Sequence, residues 1–191
     1  MTTRTTPGRW FRLAVATMMS WTSVAWAHEA SAHAAAVSPV SPETAWHFTL
    51  PTLDGSRFVT LSDARGPVLV NFWGRECPPC VHELPLLAQF ARDHPDWTVM
   101  LVATDPPAQA RAFIEGMNGL TPSVPGLVWL KGGASVATLM RSAGNSGGAL
   151  PYTLAWRQPG GTCHQQLGLL SQTALSSLVV ACTHGDAAPS P

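Results

Sequence analysis

The stretch that most limits what this chain can fold into is VLVNFWGRECPPCVHELPLL, residues 68–87. Val68–Trp73 is a nearly unbroken apolar run, the pattern of a central strand buried on both faces. It leads directly into Cys77-Pro78-Pro79-Cys80, and a helix is predicted from about Pro78 to Arg92. A strand covered on both faces needs a layer on each side of its sheet, so the segment points to an α/β fold.

The rest of the chain agrees. Trp46–Leu50 and Arg57–Leu61 flank the turn LDGS, a hairpin signal. Trp97–Thr104 reads as a second buried strand. Ala108–Met117 reads as a helix, with Asp105 as its cap and Pro106 at its first position. Gly126–Leu130 is a short strand and Ser135–Arg141 a short helix. Tyr152–Trp156 and Thr162–Gly168 form a terminal hairpin, and Ser171–Cys182 closes the domain as an amphipathic helix. The expected architecture is a central mixed sheet flanked by helices, with an N-terminal β-hairpin, over residues 43–184.

The ends read differently. Arg4, Arg9 and Arg12 precede the apolar run Leu13–Ala27, which ends in Ala25-Trp26-Ala27, a small-x-small cleavage pattern. That run is about 15 residues, short of the roughly 20 a bilayer span needs. Residues 1–27 are therefore expected to be a cleaved signal peptide rather than an N-terminal membrane anchor. Residues 28–42, rich in Ala, Ser and Pro, read as a flexible linker, and 185–191 as a disordered tail. Loss of Arg4, Arg9 and Arg12 leaves 8 basic residues against 11 acidic ones, a net charge of −3. With no basic stripe, nucleic acid is not an expected partner. Export would place the cysteines where disulfides persist.

Two thiols separated by two prolines can grip a metal, staple a loop or trade electrons. A zinc site usually adds a second short-spaced Cys or His pair, and only Cys163, His164, His82 and scattered histidines are available. A c-type haem needs His after the second cysteine, and Val81 stands there. The redox reading fits the position. Cys77 sits at a helix N-terminus, where free N–H groups and the helix dipole favour an anion. Its thiolate is the expected nucleophile. Cys80, one turn further in and less exposed, is the expected resolving thiol.

VNFWGRECPPCVHELPLL resembles the active-site segment of the thioredoxin superfamily, specifically the exported TlpA/ResA-like thiol–disulfide oxidoreductases. FTLPTLDGSRFVTLSDARGPVLVNFW resembles that family's lead-in hairpin, and GGALPYTLAWRQPGGTCHQQLG its segment with a cis-proline before a strand, a turn and a second strand. The resemblance covers roughly residues 46–182. It implies that Glu83, three residues after Cys80 and on its helix face, manages protons for the thiols. It also implies that Pro151 follows a cis bond and presents the Leu150 backbone beside Cys77. Trp73, Leu150 and Pro151 are then the expected substrate groove. Pro85 falls inside the active-site helix and should kink it.

Two departures from the family pattern matter. An aromatic residue usually precedes the first cysteine; here it is Glu76, after Arg75. A carboxylate there would oppose the Cys77 thiolate unless Arg75 offsets it. Cys163 and Cys182 lie in the last strand and at the end of the last helix. A structural disulfide is expected, with a second redox pair or free buried thiols as the alternatives.

The function this supports is a periplasmic, or otherwise extracytoplasmic, thiol–disulfide oxidoreductase with Cys77–Cys80 as its redox-active disulfide. It needs no cofactor and no metal, because the dithiol carries two electrons. A monomer is expected, and the resemblance implies a reductant of disulfides in partner proteins, in cytochrome c or metal-site maturation, with a membrane protein as electron donor or acceptor. The alternatives are a disulfide oxidant or isomerase, and a copper-delivery thiol chaperone.

Overall fold

The computed structural model describes residues 46–117, 124–159 and 161–184. The expected signal peptide, linker and tail lie outside the described residues. Five strands form the main sheet: β3 (Val68–Trp73), β4 (Thr98–Ala103), β5 (Leu127–Lys131), β6 (Tyr152–Arg157) and β7 (Gly161–Leu167). Their order is β5-β4-β3-β6-β7. β4 runs parallel to β3 and β5, while β6 runs antiparallel to β3 and β7, so the sheet is mixed. The fold matches the expected class. The apolar runs that mark β3 and β4 are interior strands buried along almost their whole length, and β6, between β3 and β7, is a third.

The N-terminal hairpin, β1 (Thr49–Pro51) with β2 (Phe58–Thr60), is a separate two-stranded sheet. Leu53 N–H donates to Trp129 O at 2.8 Å and a bridge joins Thr52 to Leu130, which dock the hairpin against β5.

Among the described residues the α-helices are α1 (Pro78–Asp93), α2 (Pro107–Glu115), α3 (Val136–Ser142) and α4 (Gln172–His184). The alternation of β3 divides the core. Leu69 and Trp73 pack with Leu84, Leu87 and Phe90 of α1, Ala110 and Ile114 of α2, and Leu175 and Leu178 of α4. Val68, Val70 and Phe72 pack on the other face with Phe48, Leu50 and Val59 of the hairpin and with Val136 and Met140 of α3. Asn71, fully buried, shares the parity of Leu69 and Trp73 and so belongs to the α1/α4 face.

α1 continues through Pro85, whose exposed ring sits on the outer face. The start of α2 differs from expectation. Pro106, not Asp105, is its N-cap, and no side chain caps it. Asp105 instead accepts a hydrogen bond from Arg75 N–H at 2.7 Å, in the loop entering α1.

Candidate active site

The parallel strands β3 and β4 end side by side, and the chain leaving β3 must turn at once into α1. Gly74 allows that turn. A Cβ there would lie 2.9 Å from Thr104 Oγ1, closer than real contacts permit. Cys77 N–H donates to Gly74 O at 3.1 Å, and Cys77 becomes the N-cap of α1 in extended conformation. Pro78 and Pro79 occupy the first two helical positions and have no N–H. Cys80 N–H is therefore the first amide of the helix free to bond, and it donates to Cys77 Sγ at 3.3 Å. A sulfur replaces the usual capping oxygen, so the helix end is aimed at the atom expected to carry negative charge.

Cys77 and Cys80 are disulfide-bonded, with Cα atoms 5.3 Å apart. Cys77 is half-buried, Cys80 is wholly buried, and the flanking prolines are exposed. The pair thus presents one sulfur to a partner and keeps the other behind it, as the nucleophile and resolving roles require.

Glu83 is not a surface carboxylate. It is only 1% exposed, on the inner face of α1. Asn71 Nδ2 donates to its Oε1 at 2.6 Å, and Leu170 N–H donates to its Oε2 at 2.8 Å. Burial raises its pKa above the ordinary glutamate value. The Leu170 and Asn71 hydrogen bonds, and the charge of His82, pull the other way without cancelling the rise. A carboxyl held in this way exchanges a proton nearer neutral pH than a solvated one, which suits general acid–base work.

Leu150–Pro151 is a cis peptide bond, as the resemblance implies. Leu150 is partly buried, and one of its methyl carbons lies 3.5 Å from where a Gly74 Cβ would stand, so this segment adjoins the loop that carries Cys77. Trp73 has no exposed surface. It packs edge-on to Trp129 at 5.6 Å and against Phe113, and so supports the site from below rather than lining a groove.

The charged rim is organised by Arg75. Its Nη1 pairs with Glu76 Oε1 at 2.8 Å, and its Nε lies 3.5 Å from Asp105 Oδ1 and donates to Gln109 Oε1 at 3.2 Å. Arg75 thus supplies the compensating charge that Glu76 calls for beside Cys77. Cys163 and Cys182 are bonded to each other, joining β7 to α4, with Cα atoms 5.1 Å apart. Sequence reasoning missed Asn71, Thr153 and the Leu170 amide. The signal for Asn71 was present: a lone amide inside VLVNFW must find partners when buried.

Residues 42–179 match the AhpC/TSA family. Thioredoxin from Alicyclobacillus acidocaldarius is 33% identical over 90 residues, 47% of this chain and 81% of that protein. Thioredoxin-like protein YneN from Bacillus subtilis is 34% identical over 74 residues, 36% of this chain, and the chain spans less than half of it, 43%. Among solved structures, a secreted Mycobacterium tuberculosis disulfide oxidoreductase superposes with a TM-score of 0.56 at 24% identity, covering 70% of this chain and 95% of that one. The last likeness is one of fold. The chain belongs to the AhpC/TSA family and is thioredoxin-like.

Proposed function

We propose that the protein is an exported, monomeric reductant of disulfides in partner proteins, working through Cys77 and Cys80 outside the cytoplasm. The observation that carries the thiol-exchange part of this reading is Cys80 N–H donating to Cys77 Sγ at the N-terminus of α1, while the reducing direction follows from the family resemblance. In the reduced protein the same donor would meet a thiolate, and a lowered thiol pKa makes a nucleophile at neutral pH.

The cycle balances with the residues present. Cys77 thiolate attacks one sulfur of the partner's disulfide. A Cys77–partner mixed disulfide forms, and the partner's other sulfur leaves as a thiolate that water protonates. Glu83 carboxylate takes the proton from the Cys80 thiol, directly or through a water. Cys80 thiolate then attacks Cys77 Sγ, and the second partner sulfur departs. The partner has gained two electrons. The protein is left with the Cys77–Cys80 disulfide seen here. An external dithiol must restore it, and a membrane electron donor is the proposed source. Substrates in cytochrome c or metal-site maturation suit this chemistry. The Arg4–Ala27 pattern supports export through a cleaved signal peptide. Among the described residues no helix is long and apolar enough to cross a membrane.

The test is reduction of a protein disulfide by the pre-reduced protein. Wild type should reduce one disulfide per Cys77–Cys80 pair. Cys77→Ser should do nothing, and Cys80→Ser should accumulate a mixed disulfide through Cys77. Full activity in Cys77→Ser would refute the assignment.

A further inference from the structure

Asn71 makes two hydrogen bonds from one end of its amide and none from the other. Nδ2 donates to Glu83 Oε1 at 2.6 Å and to Thr153 Oγ1 at 2.9 Å. Oδ1 is buried with no hydrogen-bond partner in the protein. All three side chains are essentially sealed, Asn71 and Thr153 at 0% and Glu83 at 1% exposure. They meet because Asn71 and Thr153 are register partners across the β3–β6 ladder and Glu83 lies on the inner face of α1.

This arrangement suits one charge state of Glu83. A carboxylate needs donors, and Asn71 Nδ2 and Leu170 N–H supply them. A neutral carboxyl carries an O–H that needs an acceptor, and Nδ2–H cannot serve. Asn71 carries the required acceptor at its unpartnered end. Turning the amide by about half a turn about its Cβ–Cγ bond exchanges Oδ1 for Nδ2, since the two ends are nearly equal in shape. The Thr153 hydroxyl, both donor and acceptor, accepts from Nδ2 in one orientation and donates to Oδ1 in the other.

We propose that Asn71 is the positioning residue that keeps Glu83 hydrogen-bonded in both protonation states, its amide reversing as the carboxyl gains or loses a proton. The proposal rests on the reading of Glu83 as the proton carrier for Cys80. The amide itself transfers no proton: the proton leaves Cys80 Sγ for a Glu83 oxygen, and Asn71 changes from donor to acceptor. Without the reversal, protonating Glu83 would place two hydrogens against each other inside the core. Charged groups elsewhere do little to mimic the effect. His82 on α1 is the charge that acts on Glu83. β3 and β6 contribute Asn71 and Thr153, and the segment before α4 contributes the Leu170 amide. Cys77, the N-cap of α1, and Cys80 in its first turn do not titrate while bonded to each other.

The first experiment follows the Glu83 carboxyl carbon and the Asn71 side-chain amide by NMR across pH, in the disulfide form of the wild-type protein. The two signals should titrate with one midpoint. An Asn71 amide that stays unchanged while Glu83 titrates would overturn the proposal. The result does not depend on turnover, so it stands apart from any failure of the proposed electron flow. The second experiment measures the rate of mixed-disulfide resolution by Cys80 against pH. Asn71→Leu should move the midpoint upward by less than about one pH unit, because the charge-assisted donor lost to the carboxylate outweighs the neutral acceptor lost to the carboxyl. The shift should vanish on a Glu83→Gln background. A loss by the same factor at every pH, or one that persists with Glu83→Gln, would mark Asn71 as merely structural.

Discussion

Leu170 and Glu83, 87 positions apart, are joined by a hydrogen bond from Leu170 N–H to Glu83 Oε2 at 2.8 Å. The active-site helix α1 is thereby tied to the segment that enters α4. The bond also fixes the carboxyl proposed to carry the proton, on the side of the sheet where Asn71 holds its other oxygen.

Glu83 should cost stability as the pH rises. Burial raises its folded pKa above the ordinary value of 4.5. The folded state therefore holds the proton more tightly than the unfolded chain does. Stability from this group is fully present below the unfolded pKa and is lost as the pH climbs through the folded one. Urea unfolding of the disulfide form at a series of pH values should show Glu83→Gln gaining on wild type across that window. Parallel curves would contradict the raised pKa.

Cys163–Cys182 should act as a staple, separate from the redox pair. It closes a loop with a sequence separation of 19. Replacing both cysteines with alanine should cost roughly 3 kcal/mol in the chain-entropy model. The alkylation rate of Cys77 in the reduced protein should not change. A large change in that rate would assign the second pair a redox role.

Arg75 should hold down the effect of its neighbour. With Arg75→Ala, Glu76 stands beside Cys77 without the cation now 2.8 Å away. The Cys77 thiol pKa in the reduced protein should rise, by less than about one unit because the pair is exposed to solvent. Adding Glu76→Gln should reverse the rise. Alkylation rate against pH reads both steps, and no rise in the single variant would show that Glu76 does not act on the sulfur.

Much of this was legible in the residues, and the gaps have physical causes. β3 and β4 were readable because strands covered on both faces are continuously apolar, and Cys77 because a helix start follows such a strand. The surroundings of Glu83 were not readable. They depend on the pairing of Asn71 with Thr153, 82 positions away, and spacing along one helix says nothing about that register. Asp105 was misassigned for a related reason. An acid before Pro106 and a helix has the look of a cap, but the Arg75 amide across the loop competes for the same carboxylate, at 2.7 Å.

The measurement that tests the central claim most directly is the equilibrium reduction potential of Cys77–Cys80, by redox-buffer titration with Cys163–Cys182 followed separately by mass spectrometry. A reductant requires a value near or below the roughly −270 mV of thioredoxin, and that is the value expected. A value near roughly −120 mV, as in strong protein oxidants, would contradict the account and make the protein a disulfide donor.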